Sequence, residues 1–208
     1  KIWTMSAYSG PKIVTSGLVG CWDAANAKSY PGSGTTWYDL STYKLNGTLS
    51  NGPTYSSGTV NFDGTNDFFL TSANTGLNPA AITHTCLFKL NAVPSGVAPV
   101  FGNGDNLLHG LKIYAGAGYG VCSGQYNINT TNYTTSGLAI ILNTWYYITS
   151  TWSSGQTIKL YNGINFDSES TVATGSLYGI TNYSMAQYSQ SNYINCSISF
   201  ASVYNKAL

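Results

Sequence analysis

Charged side chains are scarce in this sequence, and arginine is absent. Charged residues make up 7% of the 208 residues, whereas roughly a quarter is usual in globular proteins. All eight cationic side chains are lysines, scattered from Lys1 to Lys206, and the formal net charge is +1. Without arginine the chain lacks bidentate contacts to phosphate or guanine, and scattered lysines give no cluster for counterion release. We therefore expect no nucleic-acid binding.

The sequence also lacks long apolar runs and helical periodicity. No run approaches the about 18 apolar residues of a membrane span, and the first residues lack the apolar central region of a signal peptide. No window repeats apolar residues at i, i+3, i+4 and i+7 over three turns. We expect no membrane span and very little helix.

The four cysteines show no Cys-x-x-Cys spacing, which disfavours zinc and dithiol redox chemistry. They are Cys21, Cys86, Cys122 and Cys196. A domain of this size does not need cross-links, and most of these residues lie in apolar, strand-like runs where cysteine packs as a small hydrophobe. We expect buried free thiols in preference to disulfides.

What the sequence does contain is a set of short strand-like runs. Hydrophobic residues form 43% of the chain and aromatic residues 14%, which favours a packed fold over disorder. Polar and apolar residues alternate over 82–90, 145–152 and 157–164, apolar runs occupy 18–22 and 60–62, and residues 153–156 read as a hairpin connection. We expect one all-β domain, a two-sheet antiparallel β-sandwich.

One segment, residues 17–70, carries an extended signature. It contains Asp-Ala-Ala-Asn-x-Lys-Ser-Tyr-Pro-Gly-Ser-Gly-Thr-Thr-Trp-Tyr-Asp-Leu-Ser at 23–41, Asn-Gly-Thr-Leu at 46–49 and Phe-Asp-Gly-Thr-Asn-Asp at 62–67. This signature resembles the laminin-G-like branch of the concanavalin A-like lectin/glucanase superfamily. The segments 143–146, 151–152, 159–163 and 203–208 resemble its central hairpin and last strand. The resemblance implies a jelly roll over residues 17–208, and we treat residues 1–16 as an extended arm.

The opening of the chain narrows the resemblance. Residues 9–14, Ser-Gly-Pro-Lys-Ile-Val, followed by Gly-Leu-Val at 17–19, resemble the start of such domains in virion proteins of tailed phages, including cyanophage-type particles. This implies a structural protein on the outer surface of a particle, either a capsid decoration or a fibre or appendage module. Its implied partners are other virion proteins, copies of itself in a homo-oligomer, and a host-surface glycan.

Catalysis is not expected. The glucanase branch needs two carboxylates at alternating positions of one strand, but the single glutamate, Glu169, stands with Asp167 in surroundings that match neither that motif nor its place. We interpret the two as an exposed loop pair. His84 and His109 lack a recognisable nucleophile setting. We predict that His84 is a strand residue, either outward or in the core, and that His109 lies in a loop or at a strand end.

Two binding sites are candidates. Calcium takes six to eight oxygen ligands, such as carboxylate and amide oxygens. The oxygen-bearing side chains of Asp63, Asn66, Asp67 and Asp105 are therefore candidates for a calcium site. Asp-Gly-Thr-Asn is also an ordinary turn sequence. Sugars stack on aromatic rings beside amides and hydroxyls, and seventeen tyrosines are available. The candidates for stacking are Tyr114, Tyr119, Tyr126 and Tyr133, whereas Trp22, Trp37, Trp145 and Trp152 are predicted to be core or sheet-packing residues.

The sequence thus predicts a non-enzymatic virion surface protein with weak carbohydrate binding for host adhesion. The alternative is a free-standing lectin or adhesin module of a cell-surface protein.

Overall fold

The computed structural model contains β-strands joined by turns and loops, and no helix, in the residues that it describes. These are residues 13–72, 79–103, 109–177, 182–188 and 192–208, without the side chains of Asn103 and Tyr188. The described strands are β1 (Leu18–Asp23), β2 (Thr36–Trp37), β3 (Gly47–Ser50), β4 (Thr54–Ser56), β5 (Thr59–Asp63), β6 (Phe68–Thr71), β7 (Ala81–Leu90), β8 (Ala98–Asn103), β9 (Gly110–Ala115), β10 (Gly120–Ile128), β11 (Thr131–Thr134), β12 (Leu138–Ile140), β13 (Trp145–Ser153), β14 (Gln156–Asn162), β15 (Asn165–Ala173), β16 (Tyr183–Met185), β17 (Gln187–Tyr188), β18 (Asn192–Tyr193) and β19 (Asn195–Tyr204).

The described strands form two large antiparallel sheets. The first has the order β15-β14-β13-β7-β19-β5-β4, and β1 also pairs with β19. The second has the order β11-β10-β9-β8-β16-β6-β3-β2, and β12 also pairs with β10, while β17 and β18 form a separate hairpin. This arrangement confirms the predicted all-β, two-sheet antiparallel sandwich, and no helix occurs in the described residues.

Strand β19 organises the first sheet because it pairs with three neighbours. On one side, β19 pairs with β7 along most of the length of β19. On the other side, the first part of β19 pairs with β5 and the second part pairs with β1. The register against β7 shifts between Ile198 and Phe200, so that Ser199 is the extra residue of a bulge. After this bulge, Phe200, Ser202 and Tyr204 line a cavity on the face turned away from the second sheet.

The core between the sheets is rich in aromatic rings. Trp22, Trp37 and Trp152 are at most 1% exposed, as the sequence predicts, and the Trp22 ring meets Phe69 edge-on with centroids 5.6 Å apart. Trp145 is the exception, because its alternation places it on the outer face of β13. Its side chain is 42% exposed, and the Lys89 Nζ atom lies 5.6 Å from its ring centroid.

A buried carboxylate holds the signature segment together. The Asp39 side chain accepts hydrogen bonds from the backbone N–H groups of Cys21, Ser41 and Leu45, each at 2.8 Å, and from the Ser41 hydroxyl at 2.6 Å. It therefore ties β1 to the connection between β2 and β3.

The predicted strand over 157–164 is wrong at its end. β14 stops at Asn162, which pairs with Asn165 across a turn formed by Gly163 and Ile164. Gly163 has φ +61°, a conformation that glycine adopts without a steric penalty. The chain then returns as β15, which the sequence analysis did not identify as a strand. The hairpin connection over 153–156 is confirmed between β13 and β14.

All four cysteines are buried and unpaired, which confirms the preference for free thiols. Within the described ranges, no helix has the length and hydropathy needed to cross a membrane. Of the predicted arm, residues 13–16 are described and 1–12 lie outside the described residues.

Candidate functional site

The predicted calcium residues form a turn after β5. The Asp63 carboxylate accepts the backbone N–H of Thr65 at 2.7 Å, and the Asp67 carboxylate accepts the backbone N–H of Asp63 at 3.2 Å. Asn66 contributes its backbone carbonyl to the Asn51 side chain at 2.7 Å. Asp105 lies outside the described residues. These bonds match the turn interpretation of the motif.

The turn nevertheless borders a polar cavity of about 300 Å³, the rim pocket. Asp63 and Asp67 line it together with four amides that sequence analysis missed: Asn51, Asn61, Asn91 and Asn195. Burial, and then the neighbouring Asp63 charge, raises the pKa of Asp67. Carboxylate and amide oxygens are ligands of the type that calcium takes. Two carboxylates are among the described lining residues, and the described residues contain no group of three or more His, Cys, Asp or Glu side chains placed to hold a metal.

The four tyrosines predicted to stack on sugar do not converge. Tyr126 is fully buried, and its hydroxyl donates to the Ser150 carbonyl at 3.0 Å, so its assignment to a surface site is wrong. Tyr133 lies opposite it in β11 and packs against the core. Tyr119 is exposed in the turn between β9 and β10. The Tyr114 ring lies 4.8 Å from the Lys112 Nζ atom.

Both histidines are internal and are not placed for catalysis. His84 is fully buried between the sheets, where its Nδ1 atom lies 3.1 Å from the Tyr126 hydroxyl. Because that hydroxyl gives its proton to the Ser150 carbonyl, His84 must donate from Nδ1, which leaves Nε2 as an acceptor with no hydrogen-bond partner among the described residues. His109 is 1% exposed before β9, where its Nδ1 atom accepts the backbone N–H of Asn127 at 3.2 Å.

Asp167 and Glu169 lie in strand β15, which corrects their assignment to a loop. The register passes from Tyr161 opposite Phe166 to Leu160 opposite Ser168, so Asp167 is the extra residue of a bulge. A bulge breaks the alternation that places residues i and i+2 on one face. The Glu169 carboxylate accepts a hydrogen bond from the Thr157 hydroxyl at 2.9 Å. This arrangement does not present two carboxylates in the manner of a glycosidase.

A concave surface lies on the outer face of the first sheet. One row of residues crosses four neighbouring strands at the same level: Tyr161 of β14, Thr149 of β13, Thr85 of β7 and Ser202 of β19. Strand alternation explains the row, since each member alternates with a core residue of its own strand. The Thr85 and Thr149 hydroxyls lie 3.1 Å apart. The floor is therefore a line of hydroxyl groups.

Aromatic side chains stand on both sides of this floor. Tyr147 and Phe200 lie on one side of the row, and Tyr204, which follows Ser202 in β19, lies on the other side. Tyr161 forms one end of the row. The residues enclose a cavity of about 460 Å³ that we call the outer-face groove. Its remaining described lining is Ile13, Val14, Gly163 and Leu208. No charged side chain occurs among these described lining residues.

The groove offers neutral hydrogen-bonding groups beside apolar rings. Burial raises the pKa of Tyr147 and of Tyr204, so both phenols are protonated at neutral pH and available as donors. Tyr147 is 44% exposed, which leaves its ring accessible. Such a surface can stack an apolar ring face and bond hydroxyl groups, and its described lining contains no carboxylate, histidine or cysteine side chain.

The groove was not predicted from the sequence, although three of its four strands, β7, β13 and β14, were. The last strand was predicted over 203–208, whereas β19 runs over Asn195–Tyr204, so that prediction is correct only at residues 203 and 204. In the segment WYYITSTW, the outward positions are Trp145, Tyr147, Thr149 and Thr151. The signal available in the sequence was a strand whose solvent-facing side chains are aromatic rings and hydroxyls, with no charged side chain among them. The partners from β7, β14 and β19 were not visible, because they depend on the order of strands in the sheet.

No protein-family model matches the chain, and no curated protein matches its sequence. Among solved structures, it is similar to the receptor binding domain of botulinum neurotoxin D, with a TM-score of 0.66 and 12% identity over 92% of this chain and 50% of that chain. It is also similar to the binding domain of Paraclostridial Mosquitocidal Protein 1, with a TM-score of 0.65 and 16% identity over 92% and 49%.

A third similar structure is an enzyme, the Trypanosoma rangeli sialidase in complex with sialic acid. Its TM-score is 0.57 at 14% identity, and the match covers 92% of this chain and 31% of the sialidase. The chain thus spans about half the length of the two binding domains (50% and 49%). It spans about a third of the length of the sialidase. At these identities the similarity shows the shared β-sandwich fold. Because binding domains and an enzyme share it, function has to be argued from the site.

Proposed function

We propose that this chain is a non-enzymatic binding domain that holds a neutral carbohydrate in the outer-face groove. The observation that carries this proposal is the hydroxyl row from Tyr161 to Ser202, flanked by aromatic rings. Rings suit the apolar face of a sugar, and hydroxyls suit its OH groups. The absence of charged side chains from the described lining favours a neutral ligand over an acidic one.

The comparisons support a binding role without defining the ligand. Two similar structures are described as binding domains, one of them as receptor binding, and the similar sialidase holds sialic acid. Sialic acid carries a carboxylate, which proteins usually pair with a cation. Neither arginine nor a lysine lines the described groove, so we place sialic acid outside its ligand class.

The setting that we propose is the outer surface of a tailed-phage particle, as a capsid decoration or a fibre or appendage module. The support is the resemblance of residues 9–14, followed by 17–19, to the start of laminin-G-like domains in virion proteins of tailed phages. A polar, nearly uncharged composition is compatible with this setting because such a surface stays hydrated at varied salt. In this setting the groove would bind a host-surface glycan.

Other virion proteins and copies of this chain are the partners that we propose. Two apolar side chains at the turn of the β14–β15 hairpin support protein contacts there: Ile164 is 97% exposed and Phe166 55%. Apolar groups grouped on a surface commonly mark interfaces. Light scattering of the purified protein tests self-association. If the protein is monomeric at all concentrations, the proposal of a homo-oligomer is refuted.

Substitution of an aromatic side chain that lines the outer-face groove tests whether the groove is the carbohydrate-binding site. Tyr147→Ala removes an accessible ring, and we expect about tenfold weaker binding of neutral oligosaccharides by calorimetry or on a glycan array. Tyr38→Ala is the matched control, because Tyr38 is also 44% exposed but does not line the groove. Equal affinity of both variants and the wild type would refute the groove as the site.

Localisation is tested separately by denaturing electrophoresis of purified native particles. The chain should be among their proteins. If glycan binding is found but particles lack the chain, the alternative of a free-standing lectin or adhesin module replaces the virion proposal. Glu169→Gln should leave every function intact, and hydrolysis of labelled glucans that this variant abolishes would show an enzyme.

Calcium binding stays a prediction for Asp63, Asn66, Asp67 and Asp105, of which Asp63 and Asp67 line the rim pocket together with its four amides. We expect weak affinity, of the order of 0.1–1 mM. Calcium should raise the thermal midpoint of the wild type but not of Asp67→Asn. No shift at millimolar calcium would remove the site.

A further inference from the structure

Two cavities lie side by side on the outer face of the first sheet. The outer-face groove measures about 460 Å³, and a second cavity of about 240 Å³ is bordered by Thr151, Ser153 and Lys159. Tyr161 and Leu208 line both cavities. The divider between them is the segment 206–208, which we call the strap.

The strap is fastened to the sheet by one side chain. The Thr83 hydroxyl donates to the Lys206 carbonyl at 2.8 Å and accepts the backbone N–H of Leu208 at 3.1 Å. Its distance to the Thr151 hydroxyl is 2.8 Å. Since the single Thr83 proton is given to Lys206, Thr151 must be the donor of that pair. Thr83 is thus fully used in holding the strap and pairing with Thr151.

Beneath the strap the sheet surface is continuous. The outward residues of β13 run from Tyr147 and Thr149 under the groove, through Thr151 beside Thr83, to Ser153 in the second cavity. Six residues of strand advance by about 20 Å. Without the strap, the two cavities would form one longer channel along β13.

The strap is held weakly compared with the core. Its described ties to the sheet are the two bonds to Thr83, and the Leu208 side chain is 53% exposed. Segments with few buried contacts open at low free-energy cost. A ligand that gains contacts with the covered surface can therefore displace the strap.

We propose that the strap is a built-in competitor for the groove, which a long neutral oligosaccharide displaces and a short one does not. This inference rests on the proposed carbohydrate binding. A disaccharide fits the outer-face groove beside the strap, whereas a longer linear chain gains the second cavity only when the strap leaves. Ligand length is thereby coupled to release of residues 206–208.

The test uses the whole chain and a size series of malto- and cello-oligosaccharides from disaccharide to hexasaccharide. Thr83→Val keeps the side-chain shape and removes both strap bonds. We expect hexasaccharide binding about tenfold tighter than in the wild type, because two modest hydrogen bonds no longer oppose it, and unchanged disaccharide binding. Ser199→Ala is the control, since it removes a comparable bond, to the Gly58 carbonyl at 3.0 Å, away from both cavities.

Hydrogen exchange at the Leu208 amide gives a readout independent of affinity. It should be protected in the wild type and exchange faster in Thr83→Val and in the wild type saturated with hexasaccharide. Equal exchange in both proteins, or equal hexasaccharide affinity, would overturn the strap while leaving the groove intact. If no oligosaccharide of any length binds either protein, the proposed function itself fails, and this inference with it.

Discussion

At the scale of single residues, the most consequential group for stability is His84. Burial, with a smaller contribution from His109, lowers the pKa of His84 to about 3, compared with the ordinary histidine value of 6.5. Its Nε2 atom is buried and has no hydrogen-bond partner within the described part of the chain, so a proton there would be a buried, uncompensated charge. The folded chain therefore keeps His84 neutral at pH values where the unfolded chain protonates it.

This difference predicts acid lability. The unfolded state binds the proton below about pH 6.5, so the free energy of unfolding falls as the pH drops from 6.5 toward 3, by about 3 kcal/mol between pH 7 and pH 4 from His84 alone. Urea unfolding of the wild type and of His84→Gln at both pH values measures this contribution. Glutamine keeps an N–H donor for Tyr126 but does not titrate.

The comparison separates titration from packing. A packing effect of His84→Gln would lower stability equally at the two pH values, whereas loss of titration reduces the difference between them. If the wild type and the variant lose the same free energy on acidification, His84 is not the group responsible.

At the scale of elements, the turn between β5 and β6 depends on Gly64. Gly64 has φ +78°, and a Cβ atom there would lie 2.7 Å from the Asn195 backbone nitrogen, at the start of β19. Gly155, in the β13–β14 hairpin, has nearly the same φ of +80° but has no atom within 4 Å of such a Cβ. The two glycines share a conformation and differ in the space around them.

Alanine substitution at these two positions should therefore have unequal effects. Gly155→Ala incurs the cost of the left-handed conformation, about 1 kcal/mol. Gly64→Ala adds a clash with rigid backbone and should cost about 3 kcal/mol in total. Denaturant unfolding measures both, and equal losses would mean that β19 yields easily to the turn.

The elements also show what sequence reasoning can reach. Alternation in WYYITSTW was enough to predict a strand, because period two is a local property. Whether Tyr126 or Tyr147 is accessible is not local, since it depends on which face meets the other sheet. The groove required β7, β13, β14 and β19 to be neighbours, which pairs Thr85 with Ser202. That information resides in the topology of the whole sheet.

At the scale of the whole molecule, the small number of charges predicts indifference to salt. Charged residues form 7% of the chain and the net charge is +1, so little long-range repulsion or attraction is available for screening. The described groove lining carries no charged side chain. Raising sodium chloride from about 0.01 M to 1 M shortens the Debye length from about 30 Å to about 3 Å.

Over that range we expect the free energy of unfolding to change by less than about 0.5 kcal/mol, which for a chain of this size is a shift of less than about 2 °C in thermal midpoint. Oligosaccharide affinity should change by less than about twofold. Scanning calorimetry and titration calorimetry, with a chelator present to exclude calcium effects, measure the two quantities. A steep loss of affinity with salt would show that the ligand is recognised through charge, and the neutral-glycan assignment of the groove would then be wrong.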